Sequence, residues 1–205
     1  AYESWGTLDA DGSNAVLVCH ALTGDSHAAG PAGEGHPTPG WWDDLIGPDR
    51  AIDTDRWFVV CANVLGGCQG TTGPASTDPA TGRPYGSSFG VVTIRDMVRA
   101  QALLADHLGV ARWRAVVGGS MGGMQVLEWG VMFPERVGGL VPIATNAAAT
   151  AQQIAYSSIG RHAVVLDPGW AGGDYYDRPP GEGPARGLAL ARSLAQVTYR
   201  TDEAF

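Results

Sequence analysis

Three observations predict an α/β architecture for this chain. Short apolar runs alternate with stretches of helical periodicity from about Ala15 to Ala144; a glycine-flanked serine stands where one run gives way to a helix; and from Ala148 the pattern is helical throughout. The alternation predicts a mostly parallel sheet with helices on both faces. The change of pattern divides the chain into a core over residues 1–147 and the start of a helical lid over residues 148–205.

Tyr2 to Leu8 reads as the end of a strand, closed by the turn cluster Asp9 to Asn14. Ala15 to Cys19 is a continuous apolar run, as expected of a strand buried on both faces. A long loop follows, with His20 to His27, a glycine- and proline-rich stretch from Gly30 to Gly40, and Trp41-Trp42. Connections of that length are uncommon in a compact domain unless they are functional. Trp57 to Asn63 is the next buried strand. The glycines between Gly66 and Gly73 fit neither a dinucleotide fingerprint nor a phosphate loop with its lysine. Thr93 and Asp96 form a capping box, Ile94, Met97, Val98, Leu104 and Leu108 recur at helical spacing, and Gly109 ends that helix.

Trp113 to Val117 is the strand that enters Gly118-Gly119-Ser120-Met121-Gly122-Gly123, and a helix through Gln125, Leu127, Glu128 and Trp129 runs on to Phe133-Pro134. A serine on so sharp a strand-to-helix turn is strained and exposed, and its neighbours have no room for a Cβ. All four flanking glycines are read as meeting that demand. Gly139 to Ala144 is a further strand, weakened by Pro142. Ala148 to Val165 and Ala185 to Val197 are helices joined by the irregular Asp167 to Pro184, with no strand after them.

Composition narrows the function classes. Of 205 residues, 44% are hydrophobic and 17% charged, which is globular and not disordered. A formal charge of −8 with only 13 Lys and Arg, none in a run, argues against nucleic acid as a partner. Cys19, Cys61 and Cys68 include no C-x-x-C pair and read as reduced thiols of a cytoplasmic protein. Neither a bilayer-spanning apolar stretch nor a signal peptide is apparent, so no membrane partner is expected. His27 and His36 share the glycine-rich loop, but no Cys or carboxylate completes a ligand spacing with them, so no metal is expected.

Ser120 is the candidate nucleophile, and a serine needs a base oriented by an acid. The backbone N–H groups of Leu22 and Met121 are the candidate oxyanion donors. His20 reads as a buried histidine that fixes its loop by hydrogen bonds. Only His162 follows Ser120, inside a helix, and it reads as a surface histidine. The triad acid and histidine are therefore expected to be absent from this chain. Arg192 sits at the margin of a Leu188, Ala191 and Ala195 face and is the candidate to bind an anionic substrate group.

Taken together, His20 to His27, Gly35 to Trp42, Asn63 to Cys68, Gly70 to Pro74, Thr93 to Asp96, Gly118 to Gly123, Leu190 to Arg192 and Thr198 to Arg200 resemble the homoserine O-acetyltransferase family. Its members are acyltransferases of the α/β-hydrolase fold. The resemblance implies ping-pong transfer: Ser120 takes the acetyl group of acetyl-CoA, and the hydroxyl of L-homoserine then accepts it, feeding methionine biosynthesis. It also implies a role for Arg192 and Tyr199 in holding homoserine, no cofactor besides the co-substrate acetyl-CoA, and a homodimer. Family chains begin before Ala1 and run beyond Phe205, so both core and lid are expected to be incomplete here and the 205 residues inactive by themselves. Homoserine O-succinyltransferase, a serine ester hydrolase and a non-catalytic binding protein are the alternatives.

Overall fold

The computed structural model describes residues 1–179 and 181–205. Its apolar runs become strands β1 (Tyr2–Trp5), β2 (Ala15–Cys19), β5 (Phe58–Ala62), β6 (Ala115–Gly119) and β7 (Leu140–Ile143), which form one sheet in the order β1-β5-β2-β6-β7. Only β1 runs antiparallel to its neighbour. Two short strands, β3 (Ile46–Gly47) and β4 (Ile52–Asp53), pair with each other in a second small sheet that the sequence pattern does not announce. Cys19 lies opposite both Ala62 and Gly118, so the loops leaving β2, β5 and β6 emerge together at the carboxyl edge. Open parallel sheets bind ligands at that edge.

Helix α1 (Ile94–Leu108) starts with the expected capping box: the Thr93 hydroxyl accepts from the Asp96 N–H, and the Asp96 carboxylate accepts from the Thr93 N–H. It ends at Gly109, whose φ of 76° suits glycine. Helix α2 (Met121–Met132) follows β6 directly. Both helices pack on one face of the sheet, where Ala15, Leu17, Cys19, Val60 and Val116 meet Val98, Ala102, Ala105, Val126 and Trp129. The sequence expects helices on both faces. Among the described residues the other face, with Val16, Val18, Val59, Cys61 and Val117, is covered instead by Ala28, Ala29 and Ile46 together with Trp41, Trp42, Ile52 and Trp57. The long loop after β2 is thus a wall of the core. Its backbone folds back on itself, with the Gly40 N–H donating to Gly30 O and the Trp42 N–H to Ala28 O.

β2 is buried at every position, as its unbroken apolar run requires. Pro142 lies on β7, which pairs only with β6 among the described residues; an outer strand is where a missing N–H does least harm. All three cysteines are free, and burial pushes the Cys19 thiol up to about 12.

The described residues divide into two compact units, one of Ala1–Thr72 with Val91–Ala147 and one of Gly73–Gly90 with Ala148–Phe205. Gly73–Gly90 therefore groups with the later helices, although it precedes residue 147. Within that unit the Ser87 N–H donates to the Asp174 carboxylate and Arg83 pairs with Asp177. Helices α3 (Ala151–Val165) and α4 (Ala185–Thr198) lie against each other there, in tightest approach at Gly187, where a Cβ would collide with the Ala163 carbonyl oxygen. No helix among the described residues is long and apolar enough to cross a membrane.

Candidate active site

Ser120 sits between β6 and α2 with φ 54° and ψ −118°, a conformation that costs a non-glycine residue about 1–3 kcal/mol. The surroundings hold it there. Its N–H donates to Ile143 O at 3.0 Å, and its carbonyl accepts from the Met124 N–H at 3.1 Å and from the Thr145 hydroxyl at 2.8 Å. The residue is exposed, and its hydroxyl makes no capping bond to the helix, so the side chain is presented to solvent.

The glycines explain how the turn can be so tight. A Cβ on Gly118 would stand 2.7 Å from Cys19 O, one on Gly122 would collide with that same carbonyl, and one on Gly123 would stand 2.6 Å from the Thr145 side chain. Gly119 differs from the sequence expectation. Its nearest neighbour would be 3.9 Å from a Cβ, so the fold does not require glycine there.

Gly122 brings the first turn of α2 against the end of β2, and Gln125 fastens it. The Gln125 amide donates to His20 O and to Met121 O, both at 3.3 Å, and its Oε1 accepts from Gln101 at 2.6 Å. Gln101 Oε1 in turn accepts from Trp129 Nε1 at 2.8 Å. Both glutamines are buried. Helical periodicity passes over them because their amides are polar, and only mutual pairing makes them core residues. The loop that starts at His20 and the N-terminus of α2 are therefore one assembly.

His20 is buried, with Nε2 accepting from the Val64 N–H at 3.1 Å and Nδ1 donating to Ala21 O at 2.7 Å. One neutral tautomer satisfies both bonds, and burial lowers its pKa, with the Ala21 carbonyl opposing. This is the loop-fixing role the sequence assigns it. Leu22 is the second residue of the turn closed by the Gly24 N–H on Ala21 O, a bond that leaves its own N–H unused. Its side chain is 74% exposed. Met121 is the first residue of α2, where an N–H has no partner within the helix and the helix dipole is positive.

His162 is exposed in the last turn of α3. Arg192 and Tyr199 are exposed on and just after α4. The inward face of that helix differs from the expected one: Gly187, Ala191, Leu194 and Ala195 are buried or half-buried, whereas Leu188 is 54% exposed. The contact at Gly187 sets the face, so the leucine periodicity misplaces it. In the first unit the fold brings a carboxylate, Glu3, to His27 and His36, which the sequence spacing cannot reveal.

A family model described as alpha/beta hydrolase fold matches residues 14–199. A homoserine O-acetyltransferase from Thermobifida fusca is 60% identical over 200 residues, covering 98% of this chain and 52% of that protein. Among solved structures, esterase E22 is 38% identical with a TM-score of 0.90 over 98% of this chain and 56% of its own. A homoserine O-acetyltransferase from Bacillus anthracis is 38% identical with a TM-score of 0.83 over 96% of this chain and 53% of its own. The chain spans about half the length of such relatives. With the elbow, the sheet order and these likenesses in agreement, the chain belongs to the α/β-hydrolase fold family.

Proposed function

We propose that this chain carries the nucleophile and oxyanion hole of a homoserine O-acetyltransferase. Ser120, held strained and exposed at the head of α2, is the observation that carries the reading. Its Oγ attacks the thioester carbonyl of acetyl-CoA, the tetrahedral oxyanion is met by the N–H groups of Leu22 and Met121, and CoA leaves as the acetyl-Ser120 ester forms. The side-chain hydroxyl of L-homoserine then attacks that ester, giving O-acetylhomoserine and free Ser120. Each step needs a base for the attacking hydroxyl. We assign that base and its acid to the part of the relatives' length that this chain does not span. Arg192 and Tyr199 are proposed to hold the homoserine end, the arginine on its carboxylate. The identity of 60% with a homoserine O-acetyltransferase, over nearly the whole chain, supports the transferase reading. The same reading makes the protein a cytoplasmic homodimer of methionine biosynthesis, with no cofactor besides its co-substrate.

Ester hydrolysis is the second reading, favoured by the TM-score of 0.90 with esterase E22. The two differ in what deacylates Ser120. Mixing the full-length protein with acetyl-CoA is expected to add one acetyl mass to Ser120, and Ser120→Ala is expected to abolish it. CoA release that rises with L-homoserine and yields O-acetylhomoserine supports transfer, whereas equal release without homoserine establishes hydrolysis. Failure to acylate at all points to a binding protein, and faster turnover with succinyl-CoA makes succinyl the donor.

A further inference from the structure

The loop after β2 folds back over the sheet and brings His27 and His36 together, with their rings stacked at 3.8 Å between centroids and 11° between planes. Strand β1 delivers Glu3 to the same place. Its Oε2 accepts from His27 Nδ1 at 2.9 Å, and its Oε1 lies 3.7 Å from His36 Nε2. We propose that Glu3, His27 and His36 form a binding site for a divalent transition-metal ion of the zinc type, a property separate from the acyl transfer argued above.

Three observations carry this. Each of the three residues offers one donor atom, and these atoms all lie within 4.8 Å of one another. A tetrahedral zinc ion with bonds of about 2.0–2.2 Å holds its ligands roughly 3.3–3.6 Å apart, so small side-chain shifts suffice. Second, His27 is 8% exposed and its Nε2 has no hydrogen-bond partner. With Nδ1–H donating to Glu3, Nε2 is a buried lone pair, and protein groups alone leave the ring short of a partner. Third, a cavity of about 150 Å³ is bordered by both histidines with Thr23, Asp25, Thr38 and Trp41. It has room for water as a fourth ligand, the arrangement of open His₂Glu sites, and the carboxylates of Glu3 and Asp25 offset the ion's charge.

With Nε2 as the donor to the ion, His27 keeps its Nδ1–H on Glu3 Oε2, which leaves Glu3 Oε1 for the metal. The ion would tie β1 to the loop that begins at His20 and so brace the turn carrying the Leu22 N–H.

The test uses the full-length protein, stripped with a chelator and titrated with zinc(II) by calorimetry and with cobalt(II) by visible spectroscopy. One ion per chain is expected, with the intense d–d bands of tetrahedral cobalt. His36→Ala removes a half-exposed ring, leaves the His27–Glu3 bond in place, and is expected to weaken binding by at least about 10–100-fold. Glu3→Gln keeps the shape and removes the charge, with a similar loss. His162→Ala, at an exposed site on α3, is expected to change nothing. Absence of one-to-one binding overturns the proposal, as does binding that survives His36→Ala in a folded protein or follows His162.

Discussion

The elbow at α2 and the contact between α3 and α4 use one device, a glycine whose missing Cβ lets two backbones touch, and they end differently. Gly122 closes on the Cys19 carbonyl inside the first unit, where sheet and helices bury Val126, Trp129 and the glutamine pair around it. Gly187 closes on the Ala163 carbonyl in the second unit, where the two helices have mainly each other. Ile154, Ile159, Leu188 and Leu190 remain 54–63% exposed there. A glycine contact fixes a distance, and the layers around it decide whether the neighbouring side chains leave water.

That contrast can be broken by substitution, with stability of the full-length protein read from thermal or urea unfolding. Gly122→Ala is expected to have the largest effect, beyond the 1–3 kcal/mol usual for overpacking, because its Cβ meets a strand carbonyl with no freedom to move. Gly187→Ala is expected to stay within about 1–3 kcal/mol, since α3 and α4 can slide apart. Equal losses at the two sites would show that the helix pair is as constrained as the elbow.

Gln101→Leu tests the polar pair that fastens the elbow to α1. It leaves Gln125 Oε1 and Trp129 Nε1 buried without their partner, at about 1–3 kcal/mol each. A loss under about 1 kcal/mol would mean that the two groups find water and that the start of α2 is loosely held.

Within the elbow itself, Ser120→Gly relieves the positive φ and is expected to stabilise by about 1 kcal/mol while removing the nucleophile. An unchanged midpoint would mean that the strain at Ser120 is already released elsewhere. The smallest effect belongs to Gly119→Ala, expected within about 0.5 kcal/mol because a Cβ there has ordinary contacts. A large loss at Gly119 would return it to the set of obligatory glycines.

The elbow was legible because its cause is local: apolar run, glycines, serine and helix lie within a dozen residues of one another. Its hydrogen bonds to Ile143 and Thr145 were not, since they depend on β7 pairing beside β6. Gln101 and Gln125 were passed over as polar positions on helices, and they become core only by facing each other. Leu188 illustrates the opposite error. Periodicity marked it as inward, yet the small surface of Gly187 made the closer contact and turned the leucine out.

The sequence by itself determined the class of fold, the order of the main-sheet strands and the helices along the chain, the caps of α1 and the position of the exposed serine. Each follows from periodicity or from the conformational limits of a few neighbouring residues. Only the tertiary structure decided that α1 and α2 share a face, that the long loop walls the other, and that Glu3 meets His27 and His36. Those outcomes depend on strand pairing and loop closure between residues far apart in the chain. β1 can lie against β5 only once the sheet is assembled, and no local pattern encodes which distant side chains will then touch.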